Sequence, residues 1–267
     1  MFMKNKIWKI FMSCFVVLLI NESVYAQDPS FSQFYANPIY LNPAFAGATP
    51  KGCPRASLNY RDQWPGIDRT YVTYSASWDQ HINAIGGGLG VLISQDAAGN
   101  GRLKTSHASL VYSYHLQVNK KFSFKAGFEA SYRTIGLDWT ELTFGDMIDP
   151  QYGFIYETQE NIANNKTNVS YPDFSTGFLG YSENFFLGFA AHHLTMPNQG
   201  FISESELPRK FTVHMGGNIP INKYKRNVTT ISPNFLYQQQ QDFRQFNYGI
   251  YVNRGPIAGG LWARQSA

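Results

Sequence analysis

Apolar and polar residues alternate with a period of two over much of the chain after residue 54. Residues 122–133 are the clearest case, with Phe, Ala and Tyr at even positions and Ser, Lys, Gly, Glu and Arg at odd positions. Successive side chains of a strand point to opposite faces, so this alternation predicts strands with one apolar and one polar face. The same pattern predicts strands at residues 55–61, 70–82, 85–94 and 104–118.

Six further segments alternate less cleanly, at residues 173–181, 184–194, 209–219, 228–239, 243–254 and 257–264. The pattern therefore predicts about eleven strands, most of them close to the roughly 9–11 residues that cross a membrane at a tilt. Short and long connections alternate between them, which is typical of outer-membrane barrels. The predicted fold is all-β, a transmembrane antiparallel β-barrel of the outer membrane over residues 55–267.

A soluble β-sandwich is the competing interpretation, because it also uses short alternating strands. Aromatic residues make up 16% of the chain and concentrate on the apolar faces, which suits lipid better than a thin core. Bacterial barrels close with an even number of strands, so a count of eleven predicts either a miscounted strand or, as we favour, a C-terminally incomplete barrel.

Residues 1–26 have the pattern of a cleaved signal peptide. Three lysines precede an apolar run at residues 10–20, and the sequence Val24-Tyr25-Ala26 provides a small-residue cleavage site. The apolar run is too short for a helix that needs about 20 residues to span a bilayer. We therefore expect export and a mature chain that begins at Gln27.

Residues 27–54 form a separate N-terminal region, rich in Asn-Pro pairs and aromatic residues. Asn37-Pro38 and Asn42-Pro43 interrupt regular structure and favour turns. The segment is nevertheless too apolar for a solvated linker, so it needs a surface to cover. We predict either a plug within the barrel or a docking element for a periplasmic partner, with Phe31, Phe34, Tyr35, Tyr40 and Phe45 as the contact residues.

Charge and cysteine content exclude several classes of protein. The formal charge is +4, and it falls to +2 when Lys4, Lys6, Lys9 and Glu22 of the signal peptide are left out, so nucleic-acid binding has little support. Cys53 is the only cysteine after residue 26, which excludes an internal disulfide and a cysteine metal site.

No known catalytic or metal-binding motif is present, so we expect no enzyme activity, no cofactor and no metal. His192 and His193 are neighbours in a predicted strand and should point to opposite faces. His107 and His115 share a face but lie about 26 Å apart along the strand, so each is interpreted as a polar residue of the lumen. The connection at residues 136–172 is interpreted as an exposed acidic loop or, alternatively, as a partner-contacting loop.

The opening segment "QDPSFSQFYANPIYLNPAFAG" (residues 27–47), "NYRDQWPG" (59–66) and "GGLWARQ" (259–265) resemble the PorP/SprF family of the type IX secretion system in Bacteroidetes. The resemblance implies an outer-membrane barrel that helps to export or anchor surface proteins such as adhesins, in some members for gliding motility. It also implies missing C-terminal strands. The implied partners are other secretion components in the periplasm and outer membrane, secreted surface proteins and the lipid bilayer.

The strand pattern alone leaves other functions open. A porin-like or ligand-uptake channel would show the same alternation, and an outer-membrane hydrolase would need a nucleophile and base that the sequence does not reveal. The resemblance carries over no catalytic or ligand-binding residue.

Overall fold

The computed structural model describes residues 28, 31, 34–49, 52–66, 71–99, 102–159, 166–221 and 228–266. The predicted signal peptide, residues 1–26, lies outside the described residues. Within these ranges, none of the helices has the length and apolar character needed to cross a bilayer.

Eleven long strands form one antiparallel sheet, in which each pairs with the next long strand along the chain. They are β1 (Arg55–Gln63), β2 (Tyr71–Ile82), β3 (Gly87–Ala98), β4 (Leu103–Gln117), β5 (Phe122–Leu137), β8 (Asn168–Ser182), β9 (Phe185–His192), β10 (Lys210–Gly217), β12 (Thr229–Gln240), β13 (Phe243–Arg254) and β14 (Ile257–Ser266). The short strand β11 (Ile219–Pro220) pairs with β12, and β6 (Ile148–Asp149) pairs with β7 (Gly153–Phe154) as a separate hairpin. The predicted all-β antiparallel fold is confirmed.

The two faces of the sheet have opposite chemistry. On β5, Lys125, Glu129 and Arg133 point to one face and are buried, whereas Phe128 and Tyr132 point to the other and are exposed. A soluble protein buries its apolar residues, so this arrangement is inverted. The single sheet also excludes the alternative of two sheets stacked over a dry core.

Charged residues mark the limits of the apolar outer face on β13. Arg244 and Arg254 are exposed at its two ends, and the outward residues between them are Phe246, Tyr248, Ile250 and Val252. Ten residues at about 3.4 Å each and a tilt near 40° give a band of about 26 Å, close to the apolar height of outer-membrane barrels. The outer face therefore matches the thickness of a bilayer.

Strand ends differ from the sequence predictions at several places, including the ends of β1 at Gln63 and β3 at Ala98, which lie beyond the predicted ends at 61 and 94. β5 continues to Leu137 and β8 begins at Asn168, so the sheet takes up both ends of the connection predicted at residues 136–172. β9 ends at His192 because His193 has a positive φ of 57°, which turns the chain out of the sheet. Ile85 belongs to a short 3₁₀ helix, Asn83–Ile85, and not to β3.

The sheet curls around the N-terminal segment, by which we mean the described residues between 28 and 48. On the first edge strand, Asn59 of β1 donates a hydrogen bond to the carbonyl of Ala36. On the last, Trp262 of β14 packs edge-on against Phe34, with ring centroids 4.9 Å apart. Both edges thus contact the same three-residue helix, Phe34–Ala36, so the polar face is the inner face of a curved wall.

Candidate functional site

The two Asn-Pro pairs each start one helical turn. The α-helix Pro38–Leu41 and the 3₁₀ helix Pro43–Phe45 both have proline at their first position, where the missing N–H costs nothing and the fixed φ suits a helix. Asn37 and Asn42 precede them and are completely buried. The segment was predicted to contain turns without regular structure, and the turns are in fact short helices.

The side chain of Asn42 ties the segment to three strands. Its Nδ2 group contacts the carbonyls of Phe178 and Phe189 and lies 2.9 Å from Nε2 of His214. Its Oδ1 atom accepts from the backbone N–H of Ala44. The buried amide of Asn42 therefore has partners at both its nitrogen and its oxygen. A residue that could not form these hydrogen bonds would leave the partners unpaired, so Asn42 holds the segment firmly in position.

A row of small residues crosses the inner face beneath the segment. We call it the small-residue row: Gly88 of β3, Ser113 of β4, Gly127 of β5, Gly177 of β8 and Ala190 of β9. Each is the direct pairing partner of the next in the sheet register. Five adjacent strands at about 4.8 Å spacing make this a trench about 19 Å long.

The backbone of the segment lies in this trench with no space to spare. A Cβ added at Gly127 would come 2.3 Å from the backbone nitrogen of Ala44, and one at Gly88 would come 2.1 Å from the carbonyl oxygen of Ala46. At Gly177 it would come 2.0 Å from Oδ1 of Asn42. Glycine is therefore required by close approach of the segment's backbone at Gly88 and Gly127, and of the Asn42 side chain at Gly177.

The end of the trench is held by polar side chains. Gly47 donates its N–H to Oδ2 of Asp79 at 2.7 Å, and Arg55 binds the same carboxylate through two nitrogens. Ser113 and the buried Lys125 both donate to the carbonyl of Ala46 at 2.6 Å. These bonds satisfy backbone groups of the segment that would otherwise be buried without partners.

The other end of the segment is held by charge. We call the charged cluster Asp28, Arg133, Asp173, His193 and Lys210. Nε2 of His193 lies 2.7 Å from Asp28, and its Nδ1 lies 2.6 Å from Asp173. Arg133 lies 3.3 Å from Asp28 and Lys210 lies 3.8 Å from it. Since both ring nitrogens of His193 face carboxylates, the imidazolium form satisfies both.

Asp28 is ionised within this cluster. Burial would raise the pKa of its carboxyl group, but the charges of His193, Arg133 and Lys210 outweigh that effect and hold the pKa well below its ordinary value. Its backbone N–H also donates to Gln240 of β12. The first described residue of the segment is thus bonded to four different strands or strand ends.

All five predicted contact residues lie in the part of the chain that the structure describes, and their surroundings differ. Phe31 is buried and packs edge-on against Tyr40, whose ring also lies 5.4 Å from the ammonium of Lys210. Phe34 and Tyr35 contact Trp262, and Tyr35 also contacts Tyr251. Phe45 stacks on His214 at 4.9 Å. Tyr35 remains half exposed, so its contribution to packing is the smallest.

Three of these residues line a cavity of about 260 Å³ between the segment and the last strands of the sheet. Phe34, Tyr35 and Phe45 form one side, and side chains such as Arg55 and Trp262 form another. The inner space on this side is therefore incompletely filled by the described residues.

The long-loop end of the inner face is covered by the connection after β9. Leu207 is buried there in one cluster with Ile135 and Tyr171, and Phe201 packs against that cluster. Phe201 also contacts Trp139 edge-on, at 6.2 Å. The connection after β9 is therefore packed against the ends of β5 and β8.

The histidines do not form a metal centre. His192 and His193 were predicted to point to opposite faces, and this is wrong. His192 faces inward as part of β9, and the positive φ of His193 turns its ring inward as well, so both are buried. Within the described ranges, no group of three or more His, Cys, Asp or Glu side chains could hold a metal ion. His107 points inward as expected and lies 3.5 Å from Glu129.

Sequence reasoning found the aromatic residues of the segment but missed its polar anchors. Asp28, Asn37 and Asn42 drew no attention as binding residues, although their partners lie on the inner face. One sequence feature could have indicated where the segment lies: the glycines at polar-face positions of β3, β5 and β8. A glycine inside a strand often marks close approach of another backbone.

A family model described as "Type IX secretion system membrane protein PorP/SprF" matches residues 23–267. The match includes the N-terminal segment, the small-residue row and the charged cluster. Comparison with curated proteins gave no match.

Proposed function

The chain belongs to the PorP/SprF family of type IX secretion system membrane proteins, and from this we propose that it is a non-catalytic barrel of the outer membrane that helps to export or anchor proteins at the cell surface. Adhesins are the proposed cargo class, with gliding motility as the process they would serve. As a member of the family, the chain is a component of type IX secretion.

The outer face supports a place in the outer membrane. An exposed apolar band about 26 Å high, bounded on β13 by Arg244 and Arg254, meets the bilayer, while polar side chains face inward. Export through a cleaved signal peptide at residues 1–26 is part of the proposal.

The occupied inner face is the observation that carries the proposed role. We propose that residues 27–54 act as a plug, supported by the fit of the segment in the small-residue row and by the burial of Asp28 in the charged cluster. A chain built to conduct small solutes would need this space open. A barrel whose interior is partly occupied by its own chain is better suited to serve as a scaffold for partners.

The proposed partners are other secretion components in the periplasm and outer membrane, together with the exported surface proteins. Affinity capture of the intact protein from membranes tests this directly. We expect secretion components to be captured with it, and deletion of the chain to remove a protein from the cell surface. Capture of the barrel alone, with an unchanged set of surface proteins, would contradict the proposal.

Conductance in planar bilayers distinguishes a scaffold from a porin-like or ligand-uptake channel. We expect the full-length protein to be closed, with conductance appearing when residues 27–54 are deleted. Steady conductance of the unmodified protein would favour the channel function.

Replacement of Tyr35, Tyr40 and Phe45 by serine tests the segment itself. We expect the triple variant to assemble poorly or to retain fewer partners, because Tyr40 and Phe45 pack against the charged cluster and His214. Unchanged barrel abundance together with unchanged secretion would count against both the plug and a docking element.

A further inference from the structure

The connection between β5 and β8 carries an ordered hairpin whose apolar side chains are not packed against the barrel. Strands β6 and β7 pair Ile148 with Phe154 and Asp149 with Gly153. Gly153 has a φ of +79°, which glycine adopts readily, and it closes the turn. We call residues 138–159 the acidic hairpin loop.

Two aspartates hold the acidic hairpin loop in shape. Asp149 accepts from the backbone of Gln151 and Tyr152 and from the hydroxyl of Tyr156. Asp146 accepts from the hydroxyl of Thr158 and the backbone of Gln159. These polar bonds hold residues 146–159 in shape, whereas Trp139, at the start of the loop, is buried and packs against Phe201.

Four apolar side chains between residues 152 and 156 of this loop lie in solvent. Tyr152 is 71% exposed, Phe154 62%, Ile155 55% and Tyr156 53%. Single exposed apolar residues are ordinary, but four within five residues of one fixed hairpin form a patch. They lie outside the large sheet, whose outer face carries the apolar band. Such a patch on a fixed framework is typical of a protein contact surface.

The charge of the loop defines the chemistry of its partner. Residues 138–159 contain five carboxylates and no Lys, Arg or His, although the chain as a whole has a formal charge of +4. Hydrogen bonds from Thr140 lower the pKa of Asp138, and backbone hydrogen bonds from Gln151 and Tyr152 lower that of Asp149, so both are ionised at neutral pH. Glu157 is exposed and directly follows Tyr156 of the apolar patch, and Glu141 is exposed at the start of the loop, 4.0 Å from Arg102.

We propose that the acidic hairpin loop is a docking surface for a protein whose contact face carries lysine or arginine around apolar side chains. A second copy presenting the same loop is disfavoured, because like charges would face each other. Phosphate-bearing lipid headgroups are disfavoured for the same reason. The inference goes beyond the proposed function and holds for whichever step of secretion the barrel serves.

Binding of synthetic peptides to the full-length protein in zwitterionic nanodiscs tests the surface. Three labelled peptides of equal length would be compared, built from Lys and Phe, from Glu and Phe, and from Lys and Ser, with empty nanodiscs as background. We expect the Lys/Phe peptide to bind at least tenfold more tightly than the other two, and its affinity to fall with added salt. Equal binding of all three peptides would overturn the proposal.

Variants locate the binding. The combined change Tyr152→Ser, Phe154→Ser, Ile155→Ser should weaken the Lys/Phe peptide at least tenfold, and Glu141→Gln with Glu157→Gln should weaken it less and reduce its salt dependence. Ile202→Ser is the matched control, since Ile202 is 75% exposed outside the loop. Heat-dependent gel mobility confirms that each variant is folded. An apolar triple variant that binds like the unmodified protein would refute the assignment.

Photo-crosslinking in cells extends the test to the natural partner. A photoreactive residue at position 152 should form adducts with a protein, and Glu141→Gln with Glu157→Gln should reduce them, whereas a photoreactive residue at position 202 should give none of these adducts. Adducts only with lipopolysaccharide, or only with a second copy of the chain, would overturn the proposal.

Discussion

The small-residue row and the charged cluster hold the same segment by different physical means. At the row, Gly127 and its neighbours place the backbone of the segment against bare strand, so position is set by shape. At the cluster, Asp28 is held by three cations, so position is set by charge. Close packing against the glycines of the row excludes any larger residue there, and this steric effect does not depend on pH. A buried ion pair tolerates changes in size poorly and depends on protonation.

The largest effect is expected from Asp28→Asn. The substitution keeps the size of the side chain but leaves Arg133, His193 and Lys210 with one buried counter-charge fewer. Breaking a buried pair typically costs about 3–5 kcal/mol. We expect faster protease cleavage within residues 27–54 and a lower melting temperature in detergent.

Glu183→Gln serves as the control for this change, because Glu183 is an exposed acid in a short turn between β8 and β9. It should leave both measurements unchanged. Equal behaviour of the two variants would mean that charge does not hold the start of the segment.

Gly127→Ala should have a smaller but clear effect. The added methyl group would overlap the backbone of Ala44, and overpacking of this kind costs about 1–3 kcal/mol. Because the effect is steric, it should be the same at pH 7 and pH 5. Gly259→Ala is the matched control, since nothing lies within 4 Å of that position. Normal protease resistance of Gly127→Ala would show that the segment does not need the trench.

The smallest expected effect is a dependence of stability on pH. It should arise from the charged cluster and not from the small-residue row. The folded pKa of Asp28 lies below its unfolded value, so its stabilisation is complete above the unfolded pKa of about 4 and is lost as the pH falls toward the folded pKa. Melting temperatures measured between pH 7 and pH 3 should therefore drop more steeply for the unmodified protein than for Asp28→Asn. Parallel curves would contradict the role of Asp28.

The sequence predicted the wall well because alternation is a local signal. Each strand meets lipid on one side and polar groups on the other, and this difference repeats every two residues. The prediction failed at strand ends for the same reason. Beyond the apolar band the outward residues become polar, as at Thr134 and Ser170, and the alternation that marks a strand disappears although the strand continues.

The candidate site was less predictable because its contacts join distant parts of the chain. The five aromatic residues stood out by composition, but the row from Gly88 to Ala190 exists only through the register of four strand pairs. Likewise, nothing near Asp28 in the sequence indicates that its partners are Arg133, His193 and Lys210. Local sequence patterns predict the faces of strands and the positions of turns. Which residues come into contact is decided by the pairing of strands that are distant in the sequence.

The contacts of the segment have a consequence for the order of assembly. Asp28 is bonded to Gln240, and the carbonyl of Phe31 accepts from Arg264, which lies 233 residues later. Asp28 and Phe31 can therefore form these bonds only after β12 and β14, more than 200 residues later in the chain, are in place. A barrel that stalls before β14 would leave this apolar segment without those bonds and more open to proteases, so docking of the segment reports that β12 and β14 have been added to the sheet.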